Sequence, residues 1–204
     1  MNVFLETWRT PWRARNELER IALAPLGRVQ FALAGVQGAQ GVRLYGLPIL
    51  QRHAESVLTM GAGCELRSTV RSNPLGANHP CILSTRRAGA VLQIGDGFGM
   101  TGGVIVCEER ITIGARVWMG ANSTILDTDF HPLNPQVRQA APLEGATAPV
   151  TIEDDVFIGM NVLVLKGVTL GRGCVIGAGS VVTHDVPAGK VAAGNPARLV
   201  GDVP

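Results

Sequence analysis

Hydrophobic positions recur every six residues between Thr151 and Pro187. The first position of each block is aliphatic, and the blocks begin at Ile152, Ile158, Val164, Leu170, Ile176 and Val182. The fifth position is Val, Cys or Ser, and the positions between them favour Gly, Asn and Asp. An amphipathic helix repeats every 3.6 residues and a half-buried strand every 2, so neither has this period. A period of six predicts a solenoid of short parallel strands, whose coils must stack to bury their apolar residues.

The same period continues upstream of this segment. It is imperfect from Gly35 to about Ser72 and becomes clear again between Ile94 and Ile125, with a one-residue slip. Hexads that run end to end, one on each of three faces, would form a triangular coil of about 18 residues, and such short faces suit strands of three or four residues. The pattern leaves the hand of the coil open, although crossovers between parallel strands are normally right-handed.

The repeat is interrupted once, at a histidine. No hexad can be drawn from His131 to Pro149, and four prolines lie in or at the end of this run. A loop of this length inside a compact repeat array is usually functional or disordered. The sequence therefore predicts a protruding loop at about 131–149.

The regions outside the repeat divide the chain into three. We expect a helical or extended cap over 1–35, a β-helix over 36–190 and a C-terminal tail over 191–204. Within the cap, Pro11 can begin a helix that Pro25 ends. The cap's tryptophans and arginines would cover the open end of the solenoid; the alternative is peripheral contact with a membrane surface.

Composition narrows the function classes. The 204 residues include 26 glycines and only 4% aromatic residues, which fits a core of small and β-branched side chains. The formal net charge of +2 gives no reason to expect nucleic acid as a partner. The four cysteines form no CxxC pair or metal-like spacing, so buried free thiols are expected. The sequence shows no signal peptide or transmembrane run, and we expect a cytoplasmic protein.

Three segments outside the plain hexads carry a family resemblance. They are Asp-Thr-Asp-Phe-His-Pro at 127–132, Gly-Ala-Gly-Ser-Val-Val-Thr-His-Asp-Val-Pro at 177–187 and Ala-Gly-Asn-Pro-Ala-Arg at 193–198. With the hexads, they resemble the hexapeptide-repeat acyltransferases over about 36–200, in the branch that contains maltose, galactoside and polysaccharide O-acetyltransferases. The resemblance implies a left-handed parallel β-helix in place of the right-handed default. It also implies a homotrimer with active sites between subunits, and transfer of an acetyl group from acetyl-CoA to a sugar hydroxyl without a metal.

His131 is the candidate general base. A sugar hydroxyl attacks a thioester slowly unless a base removes its proton, and histidine, with a reference pKa near 6.5, suits that task. A base histidine works better when its second nitrogen is fixed by a carboxylate or a carbonyl. Asp129 and Glu144 are the carboxylate candidates, although either is equally explained as a turn former or a solvated charge. Arg138, in the same loop, is a candidate for an acceptor oxygen or an anionic sugar group.

The remaining site residues come from the resemblance. Ala178 and Thr183 match positions that line the CoA groove, His184 stands where the family often has Lys, and Arg198 matches a residue that meets the nucleotide phosphates. Met160 replaces a family Ser, so only its backbone N–H can serve the oxyanion. The full donor set is Gly159, Met160, Ala178, Thr183, His184, Asn195 and Arg198. Met100, near which the Asn of sugar acetyltransferases falls, and Asn122 complete the acceptor set with Arg138.

Three alternatives remain. A γ-class carbonic anhydrase on the same fold needs three clustered histidines around zinc, whereas the four histidines here are scattered. A non-catalytic scaffold would leave the His131 loop and Arg198 without a purpose. An N-acetyltransferase acting on an amino sugar is the nearest rival, and the sequence does not separate it from the O-acetyltransferase.

Overall fold

A computed structural model describes residues 9–204 of the chain. Helix α1 spans Pro11–Leu33, a 3₁₀ helix spans Val70–Ser72, and helix α2 spans Pro135–Ala140. The strands of the described part are β1 Gln37–Gly38, β2 Arg43–Tyr45, β3 Ile49–Arg52, β4 Val57–Met60, β5 Glu65–Arg67, β6 Ile82–Thr85, β7 Val91–Ile94, β8 Gly99–Thr101, β9 Val104–Cys107, β10 Arg110–Ile113, β11 Trp118–Met119, β12 Thr124–Leu126, β13 Val150–Ile152, β14 Phe157–Ile158, β15 Leu163–Val164, β16 Thr169–Leu170, β17 Val175–Ile176, β18 Val181–Val182, β19 Lys190–Gly194 and β20 Ala197–Asp202.

From β1 to β18 every third strand joins the same sheet, so the chain winds around three faces. Sheet A has the order β1-β4-β7-β10-β13-β16, sheet B the order β2-β5-β8-β11-β14-β17-β19-β20, and sheet C the order β18-β15-β12-β9-β6-β3. All neighbours pair in parallel except β19 and β20, which form an antiparallel hairpin at the end of sheet B. This is the parallel β-helix that the hexads predict.

The coil length agrees with the prediction of about 18 residues. Thr151 pairs with Thr169, and Leu163 with Val181, each eighteen residues further on. The first and fifth hexad positions are buried in all six blocks from Ile152 onward. The two positions alternate with exposed or half-buried residues, so one core runs along the inside of the coils. Burial of these small aliphatic side chains is the main stabilising contribution of the fold.

Glycine after the first hexad position allows the coils to approach closely. A Cβ on Gly159 would lie 2.6 Å from the backbone nitrogen of Ala178, in the next coil. The neighbouring backbones also bond directly, since the Gly159 N–H donates to the carbonyl of Ile176 at 2.8 Å. Glycine is needed here because a side chain would push apart two coils that these bonds hold together.

Helix α1 covers the first coils but does not end at Pro25, as the sequence suggested. It continues to Leu33, with Pro25 inside it and exposed. Gly27 and Phe31 are buried beyond the proline and Asn16 before it. This packing on both sides of the proline stabilises the helix. Pro25 has no N–H to donate to the Ile21 carbonyl, but Ile21 is exposed, so water can donate that hydrogen bond instead. The region boundaries at 35 and 190 stay a prediction.

The interruption of the repeat is a loop with its own short helix, which was not predicted. The chain leaves sheet C after β12, forms α2 at Pro135–Ala140, and enters sheet A at β13. The Asn134 side chain starts α2 by accepting from the N–H groups of Gln136 and Val137. Residues on either side of the loop stay in register, because Ile111 pairs with Val150 and Thr124 with Leu163. The loop is therefore an insertion at one corner of an otherwise continuous coil.

All four cysteines are buried free thiols, which confirms that prediction. Neither α1 nor α2 has the length and hydrophobicity that crossing a membrane requires, and residues 9–204 contain no other candidate. The cytoplasmic location stays a prediction.

Candidate active site

A buried carboxylate anchors the base of the inserted loop. Asp127, the residue after β12, is fully buried and accepts hydrogen bonds from the backbone N–H groups of Glu108, Glu109 and Arg110 at 2.7 to 2.8 Å. These donors belong to the turn of the preceding coil. The loop therefore begins from a point that the previous coil holds rigidly.

The two limbs of the loop come close together at His131. The His131 N–H donates to the Asp129 carbonyl at 2.6 Å, and the preceding Phe130 adopts a φ of 60°. A Cβ on Gly145, in the returning limb, would lie 2.6 Å from the His131 nitrogen. Glycine at 145 therefore allows the returning limb to pass directly beside the histidine backbone.

A backbone carbonyl orients the His131 ring. Its Nδ1 lies 2.5 Å from the Pro142 oxygen. A carbonyl oxygen only accepts hydrogen bonds, so this contact assigns the proton to Nδ1 and leaves a lone pair on Nε2. The ring is exposed, so Nε2 can meet another molecule. This is the tautomer that a general base requires.

In the part of the chain that the structure describes, neither carboxylate suggested as the partner of the His131 ring bonds to it. The Asp129 carboxylate forms an ion pair with Lys166 at 3.4 Å, and Glu144 is exposed. The carbonyl takes their place because the loop folds back at Pro142. Sequence proximity could not show that fold-back, since it depends on the path of the whole loop.

Arg138 has a structural contact in place of the expected acceptor contact. Its guanidinium Nη1 donates to the carbonyls of Pro132 and Leu133 at 2.9 and 3.1 Å. The side chain thus folds back from α2 onto the residues just after His131. Arg138 therefore braces the loop.

A mainly apolar groove of about 410 Å³ runs along the outer face of sheet B. The predicted residues Met100, Gly159, Met160 and Ala178 line it. Two exposed aromatic side chains from adjacent coils, Trp118 and Phe157, also line it. The groove thus contains the predicted CoA-binding residues at the corner between sheets B and C. Trp118 is a further lining residue, which the sequence did not suggest.

Asn122 supports the backbone near this groove. It adopts a φ of 61°, its Oδ1 accepts from the Asn78 N–H at 2.8 Å, and its Nδ2 donates to the Gly76 carbonyl at 3.3 Å. Both bonds tie the segment between β5 and β6 to the corner after β11. These contacts give Asn122 a structural role, and its contact with the acceptor stays a prediction.

The other predicted donor residues lie elsewhere on the surface. Thr183 and His184 follow β18, at the corner between sheets C and A that also carries His131, and the Thr183 hydroxyl lies 2.7 Å from His184 Nδ1. Asn195 and Arg198 belong to the β19–β20 hairpin, and both are exposed. The Arg198 guanidinium donates a hydrogen bond to the adjacent Ala197 carbonyl. The predicted site residues therefore lie at two corners and in the terminal hairpin, and His131 does not line the groove.

A charged cluster beside the loop was missed in the sequence. Glu108 follows β9, and its side chain is only 4% exposed despite its charge. Arg86 and Arg87 contact its carboxylate at 3.1 and 2.8 Å. A charged residue directly after the apolar run of β9 was the available signal, but burial of its side chain could not be read from it. Within residues 9–204, His, Cys, Asp and Glu side chains form no group of three or more that could hold a metal ion.

Comparison with known proteins shows what the repeat and the fold of this chain are similar to. A family model described as the hexapeptide repeat of succinyl-transferase matches residues 149–184. Galactoside O-acetyltransferase of Escherichia coli is 40% identical over 99 residues, which make up 48% of this chain and 47% of that protein. The solved hexapeptide-repeat containing acetyltransferase of Vibrio cholerae aligns with a TM-score of 0.57 at 25% identity, over 95% of this chain and 92% of that one. The chain is therefore similar to hexapeptide-repeat acetyltransferases.

The repeat and the solved relative support the expected left-handed parallel β-helix. An N-acyltransferase variant from Bacillus cereus, solved with dTDP and coenzyme A, aligns with a TM-score of 0.61 at 15% identity, over 82% of this chain and 83% of that one. At that identity it supports the fold alone. The 2,3,4,5-tetrahydropyridine-2,6-dicarboxylate N-acetyltransferase of Staphylococcus aureus is 53% identical over 55 residues, 27% of this chain and 23% of that protein. The chain spans about half or less of the length of these curated relatives.

Proposed function

We propose that this protein transfers an acetyl group from acetyl-CoA to a hydroxyl of a sugar or glycan precursor. The observation that carries the proposal is the bond between His131 Nδ1 and the Pro142 carbonyl. In the neutral ring this bond leaves Nε2 without a proton, on an exposed side chain within a rigidly anchored loop. The similarity to hexapeptide-repeat acetyltransferases supplies the reaction class in which such a base is used.

The chemistry proceeds directly within a ternary complex. Nε2 of His131 takes the hydroxyl proton while the oxygen attacks the thioester carbonyl, which forms a C–O bond and a tetrahedral oxyanion. The Met160 backbone N–H is the proposed donor to that oxyanion. Collapse breaks the C–S bond and expels the CoA thiolate, which receives the proton from the imidazolium. The products are the acetyl ester, free CoA and neutral His131.

The donor would extend along the groove of sheet B. Gly159 and Ala178 leave the backbone open to a pantetheine arm, because neither has a side chain larger than methyl. Asn195 and Arg198 stand at the end of the same sheet, and an arginine fork suits phosphate oxygens. One relative is named as an O-acetyltransferase and another as an N-acetyltransferase, so the acceptor class rests on the O-acetyltransferase resemblance. An acceptor screen with hydroxyl and amino sugars separates the two.

The positions of the two half-sites support a homotrimer with shared active sites. His131, Thr183 and His184 lie at the corner between sheets C and A, whereas Met160 and Ala178 lie at the corner between sheets B and C. Side-by-side packing of protomers would bring one corner of each type together. Mixed trimers of His131→Ala and Ala178→Trp subunits should then regain activity that neither variant has alone. Failure to regain activity in trimers of verified mixed composition would exclude the shared site.

Replacing His131 tests the base. His131→Ala should lower turnover by about 10² to 10⁴, measured as acceptor-dependent release of CoA thiol from acetyl-CoA. His53→Ala is the matched control, because the His53 Nδ1 accepts from the Glu55 N–H in a local turn outside the loop. Near-full turnover in His131→Ala would remove the assignment. Absence of acyl-CoA binding by the unaltered protein would favour a scaffold.

A further inference from the structure

Glu108 contacts the inserted loop although it lies nineteen positions before Asp127 in the chain. Its side chain is 4% exposed, and both carboxylate oxygens are used. Oε1 accepts from Arg86 Nε at 3.1 Å, while Oε2 forms an ion pair with Arg87 Nη2 at 2.8 Å and accepts from the Thr128 hydroxyl at 2.9 Å. A buried carboxylate is costly unless it is paired and hydrogen-bonded, and this one is both.

The first arm of this cluster reaches the outgoing limb of the loop. Thr128 donates its hydroxyl hydrogen to Glu108, and the same oxygen accepts from the Phe130 N–H at 2.9 Å. The Arg86 guanidinium also lies over the Phe130 ring, 5.4 Å from its centroid. Phe130 immediately precedes His131, so these contacts define where the histidine backbone begins.

The second arm reaches the returning limb. Arg87 Nη2, which contacts Glu108, also donates to the Leu143 carbonyl at 2.7 Å. Leu143 follows Pro142, whose carbonyl accepts from the His131 ring. The path from Glu108 through Arg87 therefore sets the position of the group that orients the ring.

We infer that Glu108, with Arg87, is a positioning residue that holds both limbs of the His131 loop and keeps the imidazole in the Nδ1–H tautomer. The inference rests on the proposed function for its kinetic consequence. Charge-assisted bonds are short and directional, so one carboxylate that binds both arms fixes the spacing between them. Loss of either arm lets the Pro142 carbonyl move, and a displacement of about 1 Å in a reacting group can cost roughly a hundredfold in rate.

The test uses an exposed arginine so that folding is preserved. The Arg87 side chain is 38% exposed, and Arg87→Met keeps its apolar stem while removing both donors. Arg116→Met is the matched control, because Arg116 forms an exposed pair with Asp155 at 2.6 Å outside the loop. A second variant, Glu108→Gln, removes the charge of the buried carboxylate that contacts Arg87 and Thr128. The readouts are kcat, the KM for acetyl-CoA and the ¹⁵N resonances of the histidine rings, of which the chain has four.

We expect Arg87→Met and Glu108→Gln to lower kcat by about tenfold to a hundredfold with the KM for acetyl-CoA within about twofold. The His131 signals should move from the Nδ1–H tautomer towards a mixture, while Arg116→Met matches the unaltered protein in all three readouts. A kcat within twofold of the unaltered protein in Arg87→Met, with unchanged His131 signals, would overturn the inference. If the unaltered protein transfers no acetyl group, the proposed function fails, and the ring signals still decide whether the cluster positions His131.

Discussion

Gly95 to Ala is the sharpest test of how closely the coils pack. Gly95 follows β7, at the corner between sheets A and B, and lies outside both the groove and the His131 loop. A Cβ there would lie 2.5 Å from the Gly114 carbonyl carbon and 2.6 Å from the Gly114 oxygen. Both atoms are backbone, so no side chain can rotate away to make room.

The expected loss of stability follows from that geometry. Ordinary contact with a Cβ begins near 3.4 Å, so the two coils must separate by about 1 Å. The Gly95 N–H bond to the Ile113 carbonyl, 2.8 Å long, opposes that movement. Overpacking of this kind costs about 1–3 kcal/mol, and the stiffer unfolded chain of alanine returns about 0.4–1 kcal/mol. A net loss of about 1–2 kcal/mol corresponds to a melting temperature lower by about 2–8 °C.

Thermal unfolding followed by circular dichroism, at one protein concentration, measures the effect. Gly201→Ala is the control, because its Cβ meets no atom within 4 Å and its φ is not positive. It should change the free energy of unfolding by less than about 0.5 kcal/mol. Equal melting temperatures for Gly95→Ala and Gly201→Ala would refute the close approach of coils at this corner.

Three further predictions concern the cysteine thiols, the carboxylate of Asp127 where the inserted loop begins, and the binding of acetyl-CoA. Burial raises the pKa of all four cysteine thiols, that of Cys107 to about 12 and that of Cys174 to about 11. The thiols should therefore stay protonated at pH 8 and react with a disulfide reagent only after the protein unfolds. Rapid labelling of the native protein would contradict this. Asp127→Asn should lower the free energy of unfolding in urea by about 2–3 kcal/mol, because one amide oxygen cannot accept from three N–H groups; the exposed Asp185→Asn, which loses one bond to Thr169, should cost less. Arg198→Ala should raise the KM for acetyl-CoA about tenfold to a hundredfold with kcat little changed, and a fall in kcat at constant KM would exclude the phosphate contact.

The core could be predicted from sequence because hexad period and burial have the same cause. A residue six positions further along the chain takes the equivalent inward-facing position on the next face of the coil, so the apolar positions from Ile152 to Val182 had to face inward. The end of α1 could not be predicted in this way. Proline usually ends a helix, but packing of Gly27 and Phe31 on the coils offsets the lost bond at Pro25.

His131 was singled out by its place at the break in the repeat, which is a property of the sequence, and its catalytic role stays a proposal. The structure adds that its ring contacts the Pro142 carbonyl rather than Asp129 or Glu144, and that Arg138 and Asn122 bond to backbone groups. Backbone carbonyls are present at every residue, so sequence cannot indicate which of them a ring will meet.

By itself, the sequence determined the coil, its core and the corner at which the repeat breaks, because each depends on a period that residues carry individually. Only the tertiary structure decided how the loop folds back, which nitrogen of His131 holds the proton, and that Glu108 binds both limbs of the loop. These features depend on distances between residues that are far apart in the chain, and such distances exist only once the coils have stacked.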